Sequence, residues 1–205
     1  MLNTLVNVEG REVSALAGRA REAVVSLLGS KYGEAAVRGE VFVATTDAAG
    51  VAPGTAHGTT AAIALENPLG SGVALAIIMA TMGYHSGTIG AGYVSWVVDD
   101  DPASATPIAT STAITPLPGL VGSGMSARGK AHDAATLLNT PTPFRPAFSL
   151  DASLASSVIG REAVADIVDG EIVLLPGTVI ALEGDAAAGS TPLVVYGIAW
   201  QEIKL

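Results

Sequence analysis

TAAIALENPLGSGVALAIIMATMGY, residues 60–84, decides the fold class. Residues 60–65 form an apolar run of strand length. Asn67-Pro68 and Gly70-Ser71-Gly72 stop it, because these residues favour turns over continued pairing. Residues 73–84 then run apolar again, as one long strand. The most apolar part, 73–82, is about half of the roughly 20 residues that span a bilayer. The stretch therefore reads as two strands divided by a turn, and no membrane partner is expected.

The same texture extends outward in both directions. Residues 40–46 (EVFVATT) alternate like a strand. GTIGAG (87–92) is a turn cluster, and AGYVSWVV (91–98) is a strand that ends at Asp99, Asp100, Asp101 and Pro102. TPIATSTAIT (106–115) carries Pro107, which places it at a sheet edge. Residues 116–146 hold Pro116, Pro118, Pro141, Pro143 and Pro146, together with GLVGSGMSARGK (119–130), and read as irregular. Strands resume at 163–168, 171–174, 178–182 and 193–203, with a type II turn at Leu175-Pro176-Gly177 and a hairpin tip at 184–190. Turn signals every ten to fifteen residues with no alternating helices exclude a doubly wound α/β fold. Long connections between apolar strands favour a jelly roll. The expected fold is mainly β, a jelly-roll-like antiparallel β-sandwich over 40–205.

One helix is expected, over 10–28. Val13, Leu16, Ala17, Ala20, Val24, Leu27 and Leu28 follow steps of three and four, and Gly29 stands as the stop. Gly18 weakens the pattern. Residues 1–39 thus form an N-terminal arm and helix, and 40–205 the sandwich domain.

Composition bounds the partners. Charged residues are 14% of the 205, against about 25% in a typical chain. The only lysines are Lys31, Lys130 and Lys204. So little charge points to surface hidden against partners, or to a bias toward Ala and Gly. The net charge of −9 is carried wholly by residues 41–205, because 1–40 hold five basic and five acidic side chains. An acidic body repels phosphate backbones and anionic lipid, so neither nucleic acid nor membrane is expected. There is no cysteine, which excludes disulfides and thiolate metal sites. The N-terminus lacks a basic segment followed by an apolar core, so synthesis in a cytoplasm without a signal peptide is expected.

Few residues stand in a pattern that points to chemistry. His57, His85 and His132 have no histidine three or four residues away, so no helical metal pair exists and each reads as a surface residue. His85 caps the most apolar strand and is the best placed of the three to line an interface. Asp99–Asp101 read as a solvated strand end rather than a cation site. GTIGAG is followed by a strand, and GLVGSGMSARGK has the wrong spacing for a P-loop, so neither cradles a phosphate. No Gly-x-Ser-x-Gly elbow occurs. Asp166, Asp169 and Glu171 read as a turn, and Trp96 and Trp200 as core anchors. No catalytic, cofactor or metal residue is expected, and the protein is read as a non-enzyme.

Three segments carry a resemblance: GSKYGEAAVRGEVFVATT (29–46), ALENPLGSGVALAIIMATMGYHSGTIGAG (64–92) and VDGEIVLLPGTVIALEGDAAAGSTPLVVYGIAWQEI (168–203). With a preceding helix, their order resembles a group of tailed-bacteriophage structural proteins of about this length. KYGEAAVRG resembles that group's Lys/Arg-Tyr-Tyr-Glu…Arg-Gly junction, with Gly33 in place of a second tyrosine. NPLGSG resembles its Asn-Pro-x-Gly-Ser-Gly turn, and VVYGIAWQE its closing strand. The resemblance implies a jelly-roll-like virion component, a capsid decoration or cement protein, and brings no catalytic residues. Tail, vertex or fibre-base proteins and a carbohydrate-binding sandwich are the alternatives. The expected partners are further copies, with a trimer ahead of a dimer, and the major capsid protein or other virion proteins. The expected docking residues lie in the charge-balanced N-terminal segment: Arg11, Val13, Leu16, Arg19, Arg21, Val24 and Leu27. The basic ones would meet acids on a neighbour, and the apolar ones need cover.

Overall fold

The computed structural model describes residues 31–99, 108–150, 164–186 and 189–205 with side chains, and 4–6, 12–14, 16–17 and 23–24 as backbone. The chain divides into two compact units, Met1–Glu34 and Ala35–Leu205.

The first unit corrects the helix expected over 10–28. Its described residues are short strands: β1 (Thr4–Val6), β2 (Glu12–Ser14), β3 (Leu16–Ala17) and β4 (Ala23–Val24). β1 pairs antiparallel with β2, and β3 with β4. Valine at 13, 24 and 25 loses rotamer freedom in a helix, and Gly18 interrupts the pattern, so steps of three and four did not make a helix there. The rest of 10–28 lies outside the described residues. Among the described residues the helix is α1 (Gly33–Val37), a short turn of chain. It ends where Gly39 adopts φ +73° and donates its N–H to Ala36 O at 2.9 Å. A left-handed glycine after the last turn is a usual helix stop. A side chain there would be strained by the left-handed backbone, and its Cβ would push the Met125 side chain aside.

The second unit is a sandwich of two antiparallel sheets. Its strands are β5 (Val41–Thr45), β6 (Thr60–Asn67), β7 (Val73–Ser86), β8 (Gly92–Asp99), β9 (Ile108–Ile114), β10 (Leu117–Pro118), β11 (Lys130–Leu137), β12 (Thr142–Leu150), β13 (Val164–Ile167), β14 (Val173–Leu174), β15 (Thr178–Ala186) and β16 (Leu193–Lys204). Sheet I has the order β10-β5-β16-β7-β13, with β14 also on β7. Sheet II has the order β12-β8-β15-β6-β11-β9. Removing the extensions β9, β10, β11 and β14 leaves β5-β16-β7-β13 facing β6-β15-β8-β12. The last two strands are inserted between the earlier ones of their sheets, which is the double Greek key of a jelly roll.

Period-two alternation builds the core between the sheets. Phe42, Ile77, Ile198, Tyr196 and Trp200 point inward from sheet I, and Ile63, Leu65, Trp96, Ile180 and Leu182 from sheet II. Both tryptophans are fully buried. Phe42 and Trp200 pack with ring centroids 6.1 Å apart. Each such side chain contributes about 1.5–3 kcal/mol by leaving water. A second, smaller apolar cluster covers the opposite face of sheet II: Ala61, Ala64, Val97, Ala135, Leu137, Val179 and Ala181, with Ile108 against them. Burial on both faces explains why residues 61–65 read as a continuous apolar run instead of alternating.

The segment 116–146, expected to be irregular, holds β10, β11 and most of β12. Pro143 and Pro146 are tolerated because β12 is an edge strand, and its register on β8 shifts between Pro143 and Arg145 and again between Pro146 and Phe148. β9, expected at an edge, is the edge strand at the other end of sheet II.

Candidate assembly face and buried polar clusters

If Phe42, Trp200 and Ile198 point inward, their neighbours point outward. The outer face of sheet I can therefore be read from the register. Leu117 pairs with Val43, Val43 with Ala199, Ala199 with Met79, and Met79 with Ile167. This is one apolar row across five strands. Leu117 is 67% exposed, Ile167 63% and Val43 39%. The next row is Thr45, Gly197, Thr81 and Ala165, and on the other side lie Gln201, Ala76 and Val173. None of these side chains ionises. The central strand β16 contributes Gly197 and Ala199, while β5 and β7 contribute Val43 and Met79. Small residues flanked by larger ones make a shallow trough along β16. At its border Gln201 Nε2 donates to Glu40 Oε2 at 3.4 Å, and Glu40 is also held by Arg38 at 3.0 Å. The Arg38 hydrogen bond keeps the Glu40 carboxyl below the usual carboxylate range.

The outer face of sheet II is different in kind. Glu66, Ser95, Asp99, His132 and Glu183 are all buried on it. His132 Nε2 lies 3.1 Å from Glu66 Oε2, and its Nδ1 lies 2.8 Å from Ser111 Oγ. In the tautomer that carries its proton on Nε2, the ring donates to Glu66 and accepts at Nδ1 from the Ser111 hydroxyl. Serine, imidazole and carboxylate in series is the order of an activated nucleophile. Ser111, however, stands on β9, whose residues 109–113 are all exposed, so nothing in that strand encloses a substrate. Glu183 accepts from the Gly58 N–H at 3.1 Å through one oxygen, while its other oxygen is buried without a hydrogen bond. Burial pushes its carboxyl up to about 7, against the lowering pull of the Gly58 N–H. Nearby, the His57 ring packs edge-on against Tyr93, whose hydroxyl donates to Asp185 at 3.3 Å. Two cavities of about 360 and 270 Å³ flank the segment 52–55, and both are lined by small or apolar residues. A third, of about 370 Å³, brings Asp99 and Glu171 together with Phe144.

Three further polar groups hold the frame. Asn67 is fully buried and donates through Nδ2 to Val73 O and Leu174 O, both at 2.9 Å, while its Oδ1 accepts from Ser71 Oγ. This is the physical content of NPLGSG: the asparagine ties the β6–β7 turn to β14. Glu202 accepts the N–H groups of Arg128 and Gly129 at 2.7 and 2.8 Å. The consecutive N–H pair of the glycine-rich stretch 119–130 is thus taken by the chain's own carboxylate. Asp166 accepts from Trp96 Nε1 at 2.6 Å and from Arg145 Nη2 at 2.7 Å, which closes the edge between β12 and β13.

Several expectations change accordingly. His132 is 9% exposed and bonded on both nitrogens, not a surface residue. Asp99 is buried and takes Asn139, not a solvated strand end, while Asp100 and Asp101 lie outside the described residues. Asp166 lies in β13, within the strand expected over 163–168, and has two partners, while Asp169 and Glu171 lie in the turn that follows it. His85 is exposed, as expected of a surface residue, and Trp96 and Trp200 are core anchors. Of the expected docking residues, Val13 sits opposite Leu5, and Leu16 opposite Val24. Arg11, Arg19, Arg21 and Leu27 lie outside the described residues. The sheet I face was missed because its residues come from five separate segments. A local signal did exist, in Gly197 and Ala199 alternating with Ile198 and Trp200.

The chain matches no protein-family model and no curated protein.

Proposed function

We propose that the protein is a non-enzymatic structural component of a bacteriophage particle, a capsid decoration or cement protein that works by assembly. The observation that carries this reading is the uncharged, partly apolar outer face of sheet I on a chain of net charge −9. Exposed apolar sheet surface of this extent marks an interaction site. The jelly-roll topology and the resemblance of NPLGSG and VVYGIAWQE to tailed-phage structural proteins supply the virion context, which is fold- and motif-level analogy. In this reading the partners are other copies and the major capsid protein, with residues 1–39 as the element that docks on the shell. An acidic exterior favours colloidal stability and avoids the packaged genome. Tail, vertex or fibre-base placement is the variant within the same class. Mass spectrometry of gradient-purified particles tests it: the chain is expected at a fixed copy number per particle, and its absence from intact particles sinks the proposal.

Ser111, His132 and Glu66 support a second reading, a hydrolase acting through Ser111. It predicts turnover of an activated ester that Ser111→Ala abolishes. The structural reading predicts no turnover, and a loss of stability instead.

A further inference from the structure

We infer that the outer face of sheet I binds the same face of a second copy of this chain, about a two-fold axis. The inference rests on the assembly reading above and names its surface and its occupant.

Electrostatics selects the face. Two copies of net charge −9 repel at long range, so close contact is cheapest where neither side brings an ionised group. The rows through Val43 and Thr45 bring none. The backbone groups inside the sheet are already paired along β5, β16 and β7, so the face asks a partner only for side-chain packing and for hydrogen bonds from Thr45, Thr81 and Gln201.

Shape selects a copy of itself. The trough at Gly197 and Ala199 lies beside the ridge of Met79 and Thr81. A two-fold axis running between β16 and β7 sets the ridge of each copy into the trough of the other, the isologous arrangement that is commonest among homo-oligomers. Sheets packed this way sit about 10 Å apart, which Gly and Ala opposite Met and Val allow.

Area is sufficient. Four strands at about 4.8 Å spacing and about 26 Å of β16 give on the order of 500 Å² a copy and about 1,000 Å² for the pair, where specific interfaces begin. Association is strengthened as salt screens the like charges.

Sedimentation velocity on the full chain, at 0.15 and 0.5 M NaCl, tests the inference. The unmodified chain is expected to dimerise, more strongly at the higher salt. Val43→Glu with Ile167→Glu is expected to be monomeric at the same concentrations with an unchanged circular dichroism spectrum. Leu138→Glu, at a position 51% exposed and directly after β11 of the other sheet, is expected to dimerise normally. Should the charged pair fail to fold, Val43→Ser with Ile167→Ser is expected to weaken association at least tenfold. A chain that stays monomeric at 100 μM in 0.5 M NaCl overturns the inference, as does an oligomer of any size that survives these face substitutions. Absence from particles with the dimer intact removes the virion reading and leaves this one standing.

Discussion

Glu183 is a carboxyl whose surroundings disfavour its charge. Its folded pKa, raised to about 7, lies above the ordinary 4.5. Below about pH 4.5 both folded and unfolded chains hold the proton. Between 4.5 and 7 the folded chain keeps a proton that the unfolded chain has lost, so stability falls as pH rises through that window and levels off above it. Glu183→Gln keeps an acceptor for the Gly58 N–H and removes the ionisation. It is expected to be about 2–3 kcal/mol more stable than the parent at pH 8 and nearly equal to it at pH 4, by urea denaturation. A constant difference across pH would show that the carboxylate is not the cause. Asp166 is the opposite case, a carboxylate with two partners. Asp166→Ala leaves the buried Trp96 N–H and the half-buried Arg145 guanidinium without their acceptor, at an expected cost of about 2–4 kcal/mol. Asp166→Asn, which retains one acceptor oxygen, is expected to cost less in the same measurement.

At the scale of elements, the β6–β7 turn depends on one side chain. Asn67 satisfies two carbonyls on different strands and receives Ser71, and its own carbonyl accepts from Gly177 at 2.7 Å. Asn67→Ala removes the Nδ2 donor from Leu174 O and from Val73 O, which keeps the Ser71 hydroxyl at 3.2 Å, and opens a void between β6, β7 and β14. The expected loss is about 2–3 kcal/mol in chemical denaturation. Asn67→Asp keeps the acceptor and loses both donors, so it is expected to cost about as much. A loss under 0.5 kcal/mol for both variants would mean that the turn is held elsewhere. The edge strand β12 shows how an element can be hidden by its own composition. Its prolines argue against a strand in isolation, yet an edge position with two register shifts needs fewer N–H donors than a central one.

At the scale of the molecule, the two compact units divide the work of the proposed assembly. The core between the sheets belongs to residues 35–205. Deleting residues 1–28 is therefore expected to leave a cooperatively melting, strand-rich protein by circular dichroism. In the proposed function the same deletion abolishes incorporation into particles. An insoluble or unfolded truncation would assign the N-terminal segment to the fold rather than to docking.

The amino-acid sequence by itself determined the β class, because turn residues punctuate apolar runs too short for helices. It also determined the position of most strands and of both core tryptophans, because period two and residue size act locally. It did not determine the conformation of residues 10–28, where an apolar spacing of three and four met valines and Gly18 and local preferences conflicted. Nor could it reveal the row Leu117, Val43, Ala199, Met79 and Ile167, or the series Ser111, His132 and Glu66. Alternation says which side of a strand a residue takes, never which strand lies next to it. That choice is made by pairing between distant segments, as between Thr46 and Tyr196, 150 residues apart. Burial on both faces of sheet II, which turned His132 and Asp99 into buried residues, likewise exists only once the strands are assembled.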